Sequence, residues 1–181
     1  MRKILETPRL VLRELVPGDY AGICAMLQDG RVMYAYEGAF SDREAHDWLD
    51  RQIARYRDDG FGLWAVIEKS SGRIVGQCGI TMQELCGRRV PEVGYLLCHD
   101  CWHCGFATEA AVACRDYGFD VLGFGEIYSI IRDTNKASQR VASRVGMERT
   151  VTVVRHYRGV VMPHYVFTVS KEKVLSGRWQ D

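Results

Sequence analysis

The sequence lacks the long apolar runs that membrane and secreted proteins carry. No stretch approaches the roughly 18 consecutive apolar residues that a membrane-spanning helix needs. Residues 1–8, which read Met-Arg-Lys-Ile-Leu-Glu-Thr-Pro, have no apolar core of the kind found in a secretory signal peptide. We therefore expect a protein with no membrane partner that stays in the cytoplasm.

The sequence also has no excess of charge of either sign. Its 24 basic and 23 acidic residues give a formal net charge of +1 and are spread along the chain. A nucleic-acid-binding domain usually shows a basic patch or a strongly basic pI. The composition therefore predicts no nucleic-acid partner. It leaves a small charged substrate open, because the charge around one site need not follow the total.

Linker-like sequence is missing as well. The chain has only four prolines and shows no low-complexity segment or internal repeat. Its 181 residues, 47% of them hydrophobic, are enough to enclose one sizeable core. We therefore expect a single domain over residues 1–181.

Cysteine, in contrast, is plentiful. The chain has seven cysteines, an odd number, and five of them fall between Cys78 and Cys104. Without a secretion signal, a framework of disulfides is a poor expectation, and reduced thiols in a cytoplasm are the better one.

Three of these cysteines have the spacing of a metal site. Cys98, Cys101 and Cys104, with His99 and His103 between them, match three of the four positions of a bacterial iron–sulfur run. The fourth position is threonine here, and no second ligand pair of the kind that structural zinc usually takes occurs elsewhere. The pattern still leaves a metal-binding or redox-sensing module as an alternative function.

The same segment can be interpreted as a turn that opens into a helix. Gly105 is followed by the helix-forming run Phe-Ala-Thr-Glu-Ala-Ala. The first N–H groups of a helix have no partner within the helix, and the positive end of the helix dipole favours an anion there. The segment could therefore hold a phosphate, in which case it needs no metal.

Hydrophobic periodicity and turn signals predict a mixed α/β fold, with a mainly antiparallel sheet flanked by helices. The predicted order is βααβββαβαββ. The strands are expected near 10–15, 61–68, 73–83, 90–98, 126–131, 148–157 and 160–169. The helices are expected up to about residue 28 and over 42–58, 107–121 and 135–145. Strand 126–131 should lie parallel to strand 90–98 after a right-handed crossover.

Three segments, in the same order along the chain, resemble the GNAT superfamily of N-acetyltransferases. Residues 93–110 resemble its motif A, in the version of the ribosomal-protein alanine acetyltransferase (RimJ/RimL-like) branch. Residues 6–13, with Pro-Gly-Asp-Tyr at 17–20, are similar to that branch's opening strand and first helix start. Residues 133–138, with Gly146-Met147, are similar to its Asn-x-x-Ser…Gly-Phe segment. The resemblance covers residues 6 to about 170 and implies the GNAT fold.

The resemblance implies acetyl-CoA as cosubstrate, bound in a V-shaped opening between strands 90–98 and 126–131. The backbone of Tyr95, Leu96 and Leu97 would pair with the pantetheine arm as an extra strand does. The pyrophosphate would lie on the turn that begins at Trp102, where main-chain N–H groups would bind it. The residues that supply those groups are His103, Cys104, Gly105, Phe106, Ala107 and Thr108.

The resemblance also implies roles for particular side chains. Asn135 would bond the pantetheine, although the same residue could be an ordinary helix cap. Ser138 falls where the branch places a hydroxyl near the CoA sulfur, so it could stabilise the departing thiolate. Many relatives use a tyrosine as acid four residues later, but that position is Ala142 here. His103 stands where the branch often has a second glycine, so a left-handed backbone is costly there.

An amine must be neutral to attack a thioester, so the reaction needs a group that removes a proton. Glu92 is the candidate base, because family members often carry an acid near this position. The resemblance thus implies direct acetyl transfer in a ternary complex to a primary amine, either a protein N-terminus or a small molecule. No metal is expected in the site, and exposed strand edges would allow a homodimer.

Overall fold

Eight strands form one continuous sheet in the computed structural model, which describes residues 2–177. The strands are β1 (Lys3–Glu6), β2 (Leu10–Arg13), β3 (Leu63–Glu68), β4 (Ile74–Leu85), β5 (Arg88–Leu97), β6 (Glu126–Arg132), β7 (Glu148–Tyr157) and β8 (Val160–Ser170). The helices are α1 (Tyr20–Leu27), α2 (Asp42–Asp58), α3 (Phe106–Asp120), α4 (Lys136–Arg144) and α5 (Lys171–Gly177). The predicted single domain over 1–181 includes residues 1 and 178–181, which lie outside the described residues, and it stays a prediction.

The sheet has the order β1-β2-β3-β4-β5-β6-β8-β7. Every neighbouring pair is antiparallel except β5 and β6, which are parallel. Short connections join β3 to β4 and β4 to β5, as expected for a meander. The predicted mixed α/β fold with a mainly antiparallel sheet is therefore confirmed. None of the helices within residues 2–177 is long and apolar enough to cross a bilayer.

Two elements were missing from the predicted order. β1 precedes the predicted first strand and pairs with β2, and α5 follows the last strand. β1 has only four residues, Lys-Ile-Leu-Glu, of which the outer two are exposed. So short a segment shows no periodicity of its own, and its pairing with β2 makes it a strand.

Helix α2 has the bounds that its sequence predicts, because its first turn is capped by its own side chains. The backbone N–H of Glu44 donates to Ser41 Oγ, and Glu44 Oε2 accepts from the Ser41 backbone N–H at 2.8 Å. This reciprocal pair is a capping box, which fixes where a helix begins. The helix buries Ala45, Leu49 and Gln52 and exposes most of its charged residues.

Helix α3 packs closely on the centre of the sheet. Its buried face consists largely of small residues, including Ala110, Ala111, Cys114 and Gly118. A Cβ at Gly118 would lie 2.7 Å from Ile127 Cδ1 and 2.8 Å from Ile80 Cδ1. A larger residue at Gly118 would make these isoleucine side chains shift, so the glycine lets the C-terminal part of α3 lie close to β4 and β6.

Strands β5 and β6 diverge soon after they meet. Their one pair in the described chain joins Glu92 to Tyr128, and the Ser129 hydroxyl donates to the Val93 carbonyl at 2.7 Å. Beyond this point the two strands part, so a cleft opens at their carboxyl ends. Clefts of this kind, outside the carboxyl ends of parallel strands, commonly bind ligands.

Candidate active site

Two cavities meet at the cleft between β5 and β6. The first, of about 700 Å³, lies beside the N-terminus of α3, and we call it the α3-side cavity. The second, of about 460 Å³, is partly walled by β7, and we call it the β7-side cavity. Five residues line both: Val32, Tyr95, Leu96, Asn135 and Ser138. A molecule in one cavity can therefore reach a molecule in the other across these side chains.

The α3-side cavity brings together nearly all the residues that the sequence assigns to acetyl-CoA. Those that line it are Tyr95, Leu96, Leu97, Trp102, His103, Gly105, Phe106, Ala107, Thr108, Asn135 and Ser138. Cys104 is the exception, because its exposed side chain does not line the cavity. The Trp102 indole N–H donates to the Leu97 carbonyl at 3.1 Å, which ties the turn to the end of β5.

The turn before α3 presents a row of unpaired N–H groups to this cavity. Gly105 has φ 81° and precedes the first residue of the helix. Within the described chain, the N–H groups of residues 103–108 make no hydrogen bond to backbone, whereas that of Glu109 bonds the Gly105 carbonyl. An anion at this helix start would satisfy them and would lie at the positive end of the helix dipole.

His103 adopts the backbone conformation that its residue type makes costly. Its φ is 63°, in the left-handed region, although a side chain other than glycine disfavours that region. The turn therefore keeps the geometry of a glycine-containing loop and bears the strain at this position. Neighbouring contacts must hold His103 in place.

Arg9 supplies some of those contacts from outside the turn. Its guanidinium donates from Nη1 to the Cys104 carbonyl at 2.9 Å and from Nε to Glu109 Oε2 at 2.7 Å. It also lies over the Phe106 ring, 4.7 Å from the centroid. The arginine therefore connects the bend before β2 to both ends of the anion-binding turn. The sequence placed Arg9 in a family segment but assigned it no role.

Glu109 is the carboxylate that Arg9 holds. Burial would raise the pKa of Glu109, but hydrogen bonds from the Thr7 hydroxyl, the Arg9 backbone and the Arg9 guanidinium bring it below its ordinary value. The Thr7 hydroxyl donates to Oε1 at 2.6 Å. With three donors on its oxygens, this carboxylate is neutralised in place and does not oppose an anion at the helix start.

Two arginines on α4 add positive charge to the α3-side cavity. Arg140 and Arg144 are exposed, line the cavity, and have no hydrogen-bond or ion-pair partner among residues 2–177. They lie four residues apart, so they are on one face of the helix. The sequence predicted no role for Arg140 and Arg144, although two arginines four residues apart after the Asn-x-x-Ser segment are a recognisable pattern.

Asn135 caps helix α4, which is the alternative role that the sequence offered for this residue. Its Oδ1 accepts from the Ser138 backbone N–H at 3.0 Å and from the Tyr34 hydroxyl at 2.8 Å. The Asn135 Nδ2 amide has no partner in the described part of the chain, so it can still donate into the cavities. The Ser138 hydroxyl is likewise unpaired there, while the Ser138 carbonyl accepts from the Tyr95 hydroxyl at 2.8 Å.

Glu92 lies where β5 and β6 part and lines the β7-side cavity. Its Oε1 accepts from the Ile130 backbone N–H at 2.8 Å. Burial raises the pKa of Glu92 above its ordinary value, and the hydrogen bond from Ile130 and the charges of Arg155 and Arg55 offset only part of the rise. A carboxylate of raised pKa is a stronger base than an exposed one.

His164 is a second titratable group on the wall of the β7-side cavity. Its Nδ1 lies 2.9 Å from the Met162 carbonyl, which can only accept, so Nδ1 carries the proton and Nε2 a lone pair. Burial lowers the pKa of His164, which keeps the imidazole neutral at physiological pH. The sequence predicted no role for His164, because a single histidine in a strand belongs to no recognisable catalytic motif.

The cysteine cluster does not form a metal site. The thiols of Cys98 and Cys101 are buried, and that of Cys104 is exposed. Each contacts a different acceptor: the Ile74 carbonyl, the Asp100 carboxylate and the Trp102 carbonyl. Nowhere in residues 2–177 do three His, Cys, Asp or Glu side chains group so that they could hold a metal ion. The alternative of a metal-binding module is therefore not supported.

The thiols are also poorly placed for redox sensing. Burial raises the pKa of Cys98, and burial with the Asp100 hydrogen bond raises that of Cys101 to about 12. The reactive form of cysteine is the thiolate, which these two seldom adopt. His99 lies against the Trp102 ring with a centroid distance of 4.9 Å. The segment from 98 to 104 is thus a turn built by packing and main-chain bonds.

Comparison with known proteins agrees with this geometry. The family model of the acetyltransferase (GNAT) domain matches residues 9–148. The protein YkkB of Bacillus subtilis is 37% identical over 150 residues, which cover 82% of this chain and 87% of the relative.

Solved structures share the fold at lower sequence identity. A GNAT-family acetyltransferase from Bacillus anthracis is 22% identical, with a TM-score of 0.79 over 92% of this chain and 98% of the other. The spermidine N-acetyltransferase from Vibrio cholerae, solved with CoA and spermine, is 18% identical, with a TM-score of 0.74 over 93% and 99%. By the family match and the identity to its relative, this chain belongs to the GNAT family of N-acetyltransferases and is an acyltransferase.

Proposed function

We propose that the protein transfers an acetyl group from acetyl-CoA directly to a primary amine, and that it belongs to the RimJ/RimL-like branch of its family. The observation that carries the proposal is the meeting of two cavities at Tyr95, Leu96 and Ser138. One is rich in anion-binding groups and the other contains a buried carboxylate. The two substrates can therefore be bound together, as direct transfer requires.

The α3-side cavity suits the phosphates of CoA. The unpaired N–H groups of residues 103–108 would bind the pyrophosphate, and Arg140 and Arg144 would supply positive charge. Tyr95, Leu96 and Leu97 would offer main-chain bonds to the pantetheine arm, and Asn135 its free Nδ2 amide. The Vibrio cholerae neighbour solved with CoA supports this choice of cosubstrate. Acetyl-CoA supplies an activated thioester, which an amine can attack.

Glu92 would act as the general base and Ser138 would stabilise the departing thiolate. The raised pKa of Glu92 suits it to take a proton from an ammonium, directly or through water. The free hydroxyl of Ser138 lines both cavities, where it could donate a hydrogen bond to sulfur. Burial and the hydrogen bond to Asp100 raise the pKa of the Cys101 thiol to about 12, which disfavours an acetyl-cysteine route there and favours direct transfer.

The proposal extends to location and assembly. Seven free cysteines suit a reducing compartment, so we place the enzyme in the cytoplasm.

β7 forms one edge of the sheet, and Val154 and Val161 expose 57% and 60% of their area beside it. An exposed edge with apolar residues favours pairing with a second copy, so we expect a homodimer. Light scattering at micromolar concentration tests this.

Calorimetry with acetyl-CoA, followed by a screen of primary amines for release of free CoA thiol, tests the function. We expect stoichiometric binding, acetylation of at least one amine, and initial-rate lines that intersect when both substrates are varied. Parallel lines, or an acetylated cysteine in the intact mass without acceptor, would contradict direct transfer. Failure to bind acetyl-CoA would contradict the proposal as a whole.

A further inference from the structure

The walls of the β7-side cavity carry more positive than negative charge. Three arginines line it, Arg55, Arg132 and Arg155, whereas Glu92 is the one acidic residue among the lining side chains that the structure describes. Two of the arginines have partners: Arg132 is paired with Glu37, and Arg55 donates to Gln52 Oε1 at 2.7 Å. Arg155 is therefore the one of these three described arginines whose donors have no partner and are free for a ligand.

Arg155 has no hydrogen-bond or ion-pair partner within residues 2–177, although it is half-buried. It lies on β7 opposite Met162 of β8, and Met162 is only 2% exposed, so both residues belong to the inward face of the hairpin. A partly desolvated guanidinium is costly unless an anion or a set of acceptors completes it. Among the lining side chains that the structure describes, Glu92 is the one anionic group.

The charge of Arg155 reaches the groups around it. Glu92, Tyr36 and His164 line the same cavity as Arg155 and belong to β5, to the segment between α1 and α2, and to β8, so the four residues enclose one space. Burial raises the pKa of Glu92 and of Tyr36, and the charge of Arg155 offsets part of that rise; burial lowers the pKa of His164, and the same charge adds to that change. A ligand in that space would meet a carboxylate that can take a proton at one side and a guanidinium at the other.

We propose that the acceptor is an amino-acid-like molecule, a small primary amine that also bears a carboxylate, and that Arg155 binds that carboxylate. The inference rests on the proposed function and specifies its acceptor. A guanidinium matches a carboxylate with two parallel hydrogen bonds, which an uncharged or cationic end cannot accept. A polyamine would instead need several carboxylates on the cavity wall. The aromatic side chains of Tyr36, Trp48 and Tyr157 provide apolar surface for the rest of the molecule.

Matched acceptors that differ in the carboxylate alone test the proposal. We would measure kcat/KM for L-phenylalanine against phenethylamine, L-leucine against isoamylamine, and γ-aminobutyrate against propylamine, with spermidine as the cationic probe. At least one carboxylate-bearing member should exceed its decarboxylated partner by about tenfold or more, as expected for a charged hydrogen-bonded pair. Spermidine should be the poorest acceptor.

Substitutions at Arg155 test whether this residue causes the preference for acceptors that bear a carboxylate. Arg155→Gln should reduce the ratio of the two kcat/KM values towards one, and Arg155→Lys should restore part of it by keeping the charge. Arg43→Gln removes an exposed positive charge from α2, outside both cavities, and should leave the ratio unchanged. Folding of each variant is checked by its acetyl-CoA affinity.

The outcomes separate this inference from the proposed function. Preference for the decarboxylated amines or for spermidine, or a ratio that survives Arg155→Gln, overturns the inference and leaves the acetyltransferase function intact. Acetyl-CoA binding without acetylation of any probe also counts against the inference, which requires an acceptor of this size and charge. Failure to bind acetyl-CoA overturns the proposed function instead.

Discussion

The α3-side cavity offers an anion the main-chain N–H groups of one segment, whereas the β7-side cavity presents side chains from many elements. Residues 103–108, which include the left-handed Gly105, supply those unpaired N–H groups. The second takes Trp48, Glu92, Arg155 and His164 from α2, β5, β7 and β8. A site made of backbone tolerates varied side chains, so His103 and Cys104 can occupy its turn. A site made of side chains fixes its ligand by the identity of each one.

The largest expected effect lies on the β7 side, at Glu92. Glu92→Gln keeps the shape but removes the base, and a general base contributes about 10²- to 10⁴-fold to a rate. We expect kcat to fall by that order while the dissociation constant for acetyl-CoA stays the same. Steady-state kinetics and calorimetry on the same preparation measure both. Glu84→Gln, an exposed carboxylate on the neighbouring strand β4, is the matched control and should change neither.

The dependence of the rate on pH gives a second test of Glu92 as the general base. Burial raises the pKa of Glu92, and a base works only when it is deprotonated. The wild-type rate should therefore fall as pH drops through that raised pKa, above the ordinary carboxyl value of 4.5. The acid limb should disappear in Glu92→Gln. An unchanged profile at every pH would remove Glu92 as the base and point to His164, whose neutral Nε2 faces the same cavity.

The difference between the two cavities explains which of their residues could be predicted from the sequence. The bounds of α2 and the turn at Gly105 depend on neighbouring residues, a capping box and a glycine before a helix, so local patterns predicted them. Arg9 bonds Glu109, a hundred residues away, and Arg155 reaches its cavity only because β7 pairs with β8, so no local pattern marks either residue. β1 likewise becomes a strand only because β2 pairs with it.

The next effect tests whether the α3 side depends on its backbone. Gly105→Ala places a Cβ at φ 81°, and that Cβ would lie 3.3 Å from Arg9 Nη2. A left-handed non-glycine residue costs about 1–2 kcal/mol, so acetyl-CoA should bind roughly tenfold more weakly. Gly123→Ala bears a similar strain at φ 75° in a turn that lines neither cavity. It should lose comparable stability and keep its affinity, and equal affinities in the two variants would contradict the assignment.

A smaller loss is expected at Arg9, which supports the same turn from the bend before β2. Arg9→Met removes the bond to the Cys104 carbonyl and leaves the Glu109 carboxylate without its cation. Arg9 is half exposed, so water replaces part of what is lost, and we expect acetyl-CoA affinity to fall by about threefold to tenfold. The value of kcat at saturation should hardly change. Arg57→Met, at an exposed ion pair on α2, should leave affinity unaltered.

The smallest effect is expected at His103, because the main chain of this turn, and not the imidazole side chain, is assigned to the cosubstrate. If only the main chain of the turn binds the cosubstrate, His103→Gly should preserve acetyl-CoA affinity within about twofold and relieve the strain of φ 63°. Relief of about 1–2 kcal/mol is offset by the roughly 0.5–1 kcal/mol that glycine costs through its freedom in the unfolded chain. Urea unfolding should therefore show a gain of up to about 1.5 kcal/mol in the free energy of unfolding. A large loss of affinity would mean that the imidazole itself contacts the ligand, and the α3 side would then depend on side chains as the β7 side does.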